Sequence, residues 1–191
     1  MTKLLFLSGS IRGGSYNAML ARTAMEIAKS KGADVEYIDL KNYELPIYNG
    51  DIEARDGVPK AAQDLNKKFR EANGFFIASP EYNSSISPLL KNTIDWMSRP
   101  AYQGDKPMEA FIGKVAAISA ASIGGFGGMR GLVPLRLMLS NIGTQVLPQQ
   151  VAVSFANKEF NDGGKLNDGR YRNMLEAEVD SFVNITKKLA A

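Results

Sequence analysis

Short apolar runs recur along this chain with amphipathic helical patterns between them, and that alternation limits the possible folds more than any other feature. Strands covered on both faces read as near-continuous apolar runs, and parallel neighbours need a crossover, usually a helix. The pattern therefore predicts βαβ units and a parallel sheet. The first run, Lys3 to Leu7, leads through Ser8-Gly9-Ser10 into a helix from about Asn17 to Lys31, with Leu20, Ala24, Ile27 and Ala28 on one face and Gly32 at its end. Asp34 to Leu40 alternates acidic and apolar residues like a less fully covered strand, and Lys41 to Val58, rich in Pro, Gly, Asn and Asp, reads as surface loop. A helix from about Pro59 to Ala72 places Ala62, Leu65, Phe69 and Ala72 together, and the apolar strand Gly74 to Ala78 follows it. Ser87-Pro88, an N-cap with proline at the first helical position, opens a helix to about Met97. Lys114 to Ser119 is a fourth strand. Leu132 to Ile142 is a helix with Pro134 in its first turn and Gly143 at its stop. Thr144 to Leu147 makes a short last strand, and Arg170 to Leu189 a closing helix with Leu175, Val179, Phe182 and Val183 on one side.

Five strands with helices on both faces make a doubly wound α/β sheet, and 191 residues suit one domain spanning 1–191. Such sheets bind ligands outside the carboxyl ends of their strands, where the winding reverses. The loops after strands one, three and four, Ser8 to Asn17, Ser79 to Ile86 and Ser119 to Gly131, are therefore the expected site. They are also the most unusual stretches of the sequence.

The chain contains no cysteine and no histidine, which removes disulfides, thiolate nucleophiles, the usual zinc ligands and every histidine-based triad. Demanding chemistry would have to come from a bound organic cofactor. The net charge of +3 is scattered rather than gathered into a basic run, which argues against nucleic acid as partner. No apolar stretch is long enough to span a membrane and no signal-peptide pattern opens the chain, so a cytoplasmic location is expected.

The first loop, Ser8-Gly9-Ser10-Ile11-Arg12-Gly13-Gly14-Ser15-Tyr16-Asn17, joins a buried strand to a helix N-terminus. Free backbone N–H groups and the positive end of the helix dipole stabilise an anion there, and the serines, Asn17 and Arg12 suit a terminal phosphate. The loop is neither a P-loop nor a G-x-G-x-x-G turn, which disfavours ATP and makes Asp39 a strand-end residue rather than a ribose ligand. Ser15 or Asn17 acting merely as a helix cap is the plainer reading, but it leaves Arg12, Ser8 and Ser10 unexplained. The second loop, Ser79-Pro80-Glu81-Tyr82-Asn83-Ser84-Ser85, suits presentation of backbone N–H groups to the edge of a flat ring. Taken singly, Glu81 and Tyr82 read as a solvated carboxylate and an aromatic covering the core. In the third loop, Ser122 to Gly131, the glycines imply close backbone approach or motion. There Arg130 is either a contact for a nicotinamide-nucleotide phosphate or a surface arginine. Trp96 reads as core or subunit interface.

With these residues in view, the chain resembles the NADPH-dependent FMN reductase family, the group of soluble quinone, azo and chromate reductases. The resemblance is carried by Gly9 to Asn17, by Ser79-Pro80-Glu81-Tyr82-Asn83, and by Leu90-Lys91-Asn92-Thr93-Ile94-Asp95-Trp96. It implies a flavodoxin-like sheet in the order 2-1-3-4-5, non-covalent FMN, NADPH or NADH as co-substrate, and a homodimer or homotetramer. By position, Ser10, Arg12, Ser15, Tyr16 and Asn17 would hold the FMN phosphate; Pro80, Glu81, Tyr82 and Asn83 the isoalloxazine; and Ser119, Gly124 and Gly125 would flank the ring. Hydride would pass from the nicotinamide to the flavin and electrons then to a small acceptor such as a quinone, an azo compound, chromate or free flavin. No side chain is needed as acid, base or metal ligand. Trp96, Met97 and Arg99 are the interface candidates. Two other readings use the same loops: a flavodoxin-type FMN electron carrier without nicotinamide turnover, which the positive net charge disfavours, and a non-redox module that binds another phosphorylated ligand.

Overall fold

The computed structural model describes residues 2–190. Strands β1 (Lys3–Ser8), β2 (Asp34–Ile38), β3 (Gly74–Ala78), β4 (Val115–Ala121) and β5 (Gln145–Val146) form a parallel sheet in the order β2-β1-β3-β4-β5. In register, Leu5 stands between Glu36 and Phe75, and Phe76 pairs with Ala117. Every residue of β3 and β4 is buried, as strands covered on both faces require.

The period-two alternation sorts the core. Leu4, Phe6, Phe76 and Ala117 pack under α1 (Tyr16–Ser30) and α7 (Arg170–Leu189), meeting Leu20, Ala24, Val179 and Phe182. Leu5, Leu7, Phe75, Ile77, Ala116 and Ile118 face α3 (Lys60–Glu71), α4 (Pro88–Met97) and α5 (Met129–Asn141), meeting Leu65, Phe69, Leu90, Leu132 and Leu135. Each such buried leucine or phenylalanine contributes about 1.5–3 kcal/mol. The sheet is thereby held rigid, and its carboxyl-end loops rise from a fixed base.

Several boundaries depart from the sequence reading. The predicted loop over 41–58 contains helix α2 (Gly50–Asp56), capped by the Asn49 side chain, which accepts the Asp51 N–H at 2.8 Å. None of its residues is buried, so it carries no apolar period to detect. Strand β2 ends at Ile38 because the Asp39 carboxylate turns back to accept the Lys41 N–H at 3.1 Å, capping a 3-10 turn over Leu40–Asn42. Helix α5 begins at Met129, not Leu132, so Pro134 lies inside the helix and beyond its first turn. The fifth strand position is split: β5 pairs with Val115 and Ala116, and a further strand β6 (Ala152–Val153) pairs with Ala120 and Ala121. A short helix α6 (Ala156–Glu159) follows β6.

The interface candidates are otherwise engaged. Trp96 is fully buried, its indole N–H donating to the Pro46 carbonyl at 2.7 Å and its ring edge-on to Tyr48 at 5.0 Å. Met97 is buried too, and Arg99 pairs with Glu53 of α2 at 2.8 Å. The loop before α2 and α2 itself cover this face of α4 within the same chain, which buries Trp96 and Met97 and leaves the Arg99 side chain 40% exposed. Among the described residues no helix is long and apolar enough to cross a membrane.

Candidate functional site

The three carboxyl-end loops meet in one cleft of about 400 Å³, lined by Ser10, Arg12, Ser15, Tyr16, Asn17, Pro80, Glu81, Tyr82, Ala121, Ser122 and Ile123. Its volume falls within the ~300–1,000 Å³ range of small-molecule sites. Eight of the thirteen residues singled out from the sequence line it, and the other five are Asn83, Ser119, Gly124, Gly125 and Arg130.

The first loop is shaped by its own serines. The Ser8 hydroxyl accepts the Ser10 N–H at 3.1 Å, Ser10 Oγ lies 3.4 Å from the Arg12 N–H, and the Ser15 N–H donates to the Arg12 carbonyl at 3.2 Å. Ser87 anchors the loop from below by donating to the Gly9 carbonyl at 2.6 Å. Ser15 is the N-cap of α1, accepting the Ala18 N–H at 3.3 Å. The Tyr16 and Asn17 N–H groups find no acceptor among the described residues and stand at the positive end of a 15-residue helix. Arg12 is exposed; it approaches only the Gly14 carbonyl, at 3.5 Å, and has no carboxylate partner among the described residues.

Two residues of this loop act differently from the expectation. The Asn17 amide is fastened to β4: its Nδ2 donates to the Ala121 carbonyl and its Oδ1 accepts the Ala121 N–H, both at 2.9 Å. Its backbone N–H remains free while the side chain ties helix to strand. The Tyr16 ring packs on Phe160 with centroids 5.6 Å apart, so this residue also offers the cleft its backbone.

In the second loop Tyr82 and Ser85 exchange backbone hydrogen bonds of 2.9 and 3.0 Å across Asn83 (φ 52°) and Ser84 (φ 63°). Positive φ at both central residues defines a type I′ turn, which asparagine tolerates well. Asn83 therefore sits at the turn tip and does not line the cleft. Tyr82 is half-exposed at the rim. The Glu81 carboxylate is not solvated; it is held by Arg130, whose backbone N–H, Nε and Nη2 lie 3.1, 2.8 and 2.7 Å away. Arg130 is thus paired with Glu81, while its side chain remains 56% exposed.

The third loop divides its glycines by cause. Gly127 and Gly128 have φ of +60° and +87°, and a Cβ on either would stand 2.7–2.8 Å from Ala152 backbone or Ala120. Gly124 and Gly125 have ordinary φ, and a Cβ on them would meet only van der Waals neighbours at 3.6–3.7 Å. The protein's own packing does not require glycine at these two positions, although neither lines the cleft. Ile123, Phe126 and Phe155 stand exposed around them.

Ser119 does not flank the cleft. It is fully buried, with its hydroxyl 2.6 Å from Glu178 Oε2 and accepting the Val151 N–H at 3.2 Å, in the gap between β5 and β6. Burial pushes the Glu178 carboxyl up to about 8, against the opposing pull of the Ser119 hydrogen bond and the Arg136 charge. Glu178 escaped the sequence reading because an acidic residue within an amphipathic helix normally faces water. Ser122 and Ile123 line the cleft and were legible only as part of the third loop.

The donor set fits FMN. One end of the cleft offers a lone cation, hydroxyls and free helix N–H groups for a phosphate; the other offers Pro80, Tyr82 and Ile123 for a flat ring, with the one nearby carboxylate neutralised.

Residues 2–158 match the family described as NADPH-dependent FMN reductase. An NAD(P)H-dependent FMN reductase of Pseudomonas aeruginosa is 36% identical over 94% of this chain and 92% of its own length. A quinone reductase of Escherichia coli K12 is 32% identical over 94% and 93%. Among solved structures, the flavoenzyme NAD(P)H:(acceptor) oxidoreductase FerB of Paracoccus denitrificans superposes with a TM-score of 0.83 at 25% identity, covering 98% of each chain. Sheet order, cleft chemistry and full-length similarity agree: this chain belongs to the NADPH-dependent FMN reductase family.

Proposed function

We propose that this chain is a single FMN-binding domain over 1–191 that passes electrons from NADPH or NADH to small organic acceptors, quinones first among them. The observation that carries the reading is the polarity of the cleft, with exposed Arg12 and helix N–H groups that find no acceptor among the described residues at one end and the apolar rim of Tyr82 and Ile123 at the other. The bound flavin supplies the redox chemistry, accepting hydride and delivering electrons. The protein's part is positioning. Arg12, the Ser10 and Ser15 hydroxyls and the Tyr16 and Asn17 N–H groups hold the phosphate. The Ser15 hydroxyl accepts from Ala18 and keeps its own hydrogen for a phosphate oxygen. Backbone at Pro80 to Tyr82 borders the ring, and the bare peptides of Gly124 and Gly125 leave room beyond Ile123 for a second planar molecule.

A homodimer or homotetramer belongs to the same proposal. What supports it is an exposed stripe on α5, Met129, Val133 and Leu137, spaced four apart and 46–65% exposed. A cytoplasmic setting, where reduced nicotinamide nucleotides are regenerated, suits the co-substrate.

The test is anaerobic titration of the FMN-loaded protein with NADPH, followed by a quinone. Loss and then recovery of the flavin's visible absorbance is expected. Bound flavin that NADPH leaves unbleached would instead indicate an electron carrier, and no flavin binding a module for another phosphorylated ligand.

A further inference from the structure

The Glu81–Arg130 pair joins the two walls of the cleft. Glu81 lies in the turn after β3 and Arg130 at the start of α5, beyond the loop that follows β4. The Glu81 carboxylate takes three donors from Arg130 and its side chain is only 9% exposed, whereas that of Arg130 is 56% exposed. The guanidinium also lies 5.0 Å from the centre of the Phe126 ring, extending the connection into the third loop. Beneath the pair the walls touch at backbone level: a Cβ on Gly131 would stand 3.0 Å from the Ser85 carbonyl and 3.3 Å from the Glu81 Cα.

We propose that Glu81 and Arg130 are a positioning latch that fixes the gap in which the flavin ring lies, and that Arg130 serves the ring through Glu81 rather than the phosphate of a nicotinamide nucleotide. The inference rests on the reading of the cleft as the FMN site. It follows from the asymmetry of the pair. Removing the Arg130 side chain leaves a largely buried carboxylate with a single backbone donor, so the turn carrying Pro80 and Tyr82 must shift to hydrate it. Removing the Glu81 charge leaves an exposed guanidinium that water solvates without cost, but it releases the α5 N-terminus and Phe126. Both changes act on the ring end of the cleft and not on Arg12.

The test compares wild type, Arg130→Gln, Glu81→Gln, the double variant and Arg130→Lys in binding of FMN and of riboflavin, flavin absorbance, and KM for NADPH and NADH. The two glutamine variants are expected to weaken FMN and riboflavin by the same factor, about tenfold for loss of charge-assisted hydrogen bonds, and to shift the flavin band. The double variant should be no worse than the weaker single, and Arg130→Lys should recover part of the loss. Any change in KM should be shared by NADPH and NADH. Unchanged riboflavin affinity and spectrum in Arg130→Gln would overturn the latch, even if its melting temperature falls. A KM increase confined to NADPH would overturn it in favour of direct phosphate contact. A wild-type protein that fails to bind FMN would remove the cleft reading itself, and the latch with it.

Discussion

Glu178 gives a prediction whose sign and size follow from its surroundings. The residue is 1% exposed, its Oε1 has no hydrogen-bond partner among the described residues, and burial raises its carboxyl from 4.5 to about 8. Between those two values the unfolded chain has released the proton and the folded chain still holds it. Folding therefore binds a proton, and stability falls as pH rises. The contribution is fully present below pH 4.5 and is lost by about pH 8, amounting to about 5 kcal/mol in all, with about 3 kcal/mol gone by pH 7. Glu178→Gln keeps the shape and the Ser119 contact but cannot ionise. It places an amide N–H₂ where Oε1 lacks a partner, at a cost of about 1–3 kcal/mol. The variant should therefore be less stable than wild type at about pH 5 and more stable at about pH 9, the difference reversing sign between them. Urea unfolding of both proteins across that range, read by circular dichroism, measures the difference directly. A difference independent of pH would refute the assignment of a buried, protonated Glu178.

Further perturbations address the cleft and its frame. Arg12→Ala should weaken FMN by roughly 10- to 100-fold and leave riboflavin, which lacks the phosphate, almost untouched; equal losses by fluorescence titration would remove Arg12 from the phosphate. Asn17→Leu breaks both bonds to Ala121 and strands two buried backbone groups, so urea unfolding should show a loss of about 2–4 kcal/mol. Gly128→Ala, with a Cβ 2.8 Å from Ala120 at φ +87°, should cost about 1–3 kcal/mol or more, whereas Gly124→Ala should unfold within about 1 kcal/mol of wild type. Replacing Val133 and Leu137 by Glu should shift sedimentation toward the monomer, and an unchanged sedimentation profile would remove the α5 stripe from the interface.

The sheet was legible because its signal is local and strong. Gly74 to Ala78 and Leu4 to Leu7 are apolar without interruption, and Gly32 and Gly143 mark helix ends. Elements lacking an apolar period, such as α2, or only two residues long, such as β5 and β6, carry no comparable signal. The start of α5 was misplaced because a glycine-rich loop runs straight into it and Gly131 lies in its first turn, and its second N–H is capped by Glu81, 49 residues earlier in the chain. The site divides the same way. The loops that form it could be read from strand ends, but the use of each side chain depends on partners remote in sequence. Ser119 turns to Glu178, Arg130 to Glu81 and Asn17 to Ala121, and no spacing within the loops announces those pairings. Trp96 could be read as core or as a surface for a partner, and its burial could not be decided from sequence because the covering segment around Pro46 and Tyr48 reads as mere loop.

The two margins of the sheet bear on how copies of the protein behave when crowded. At one margin β2 carries Asp34 and Glu36, and Glu36 is bracketed by Lys3 and Lys68. At the other, β5 and β6 offer two residues each, separated by a break. A strand arriving from another molecule would have to strip water from charges on one side and would find too short a ladder on the other. Both margins resist the unlimited edge-to-edge addition that leads to fibrils.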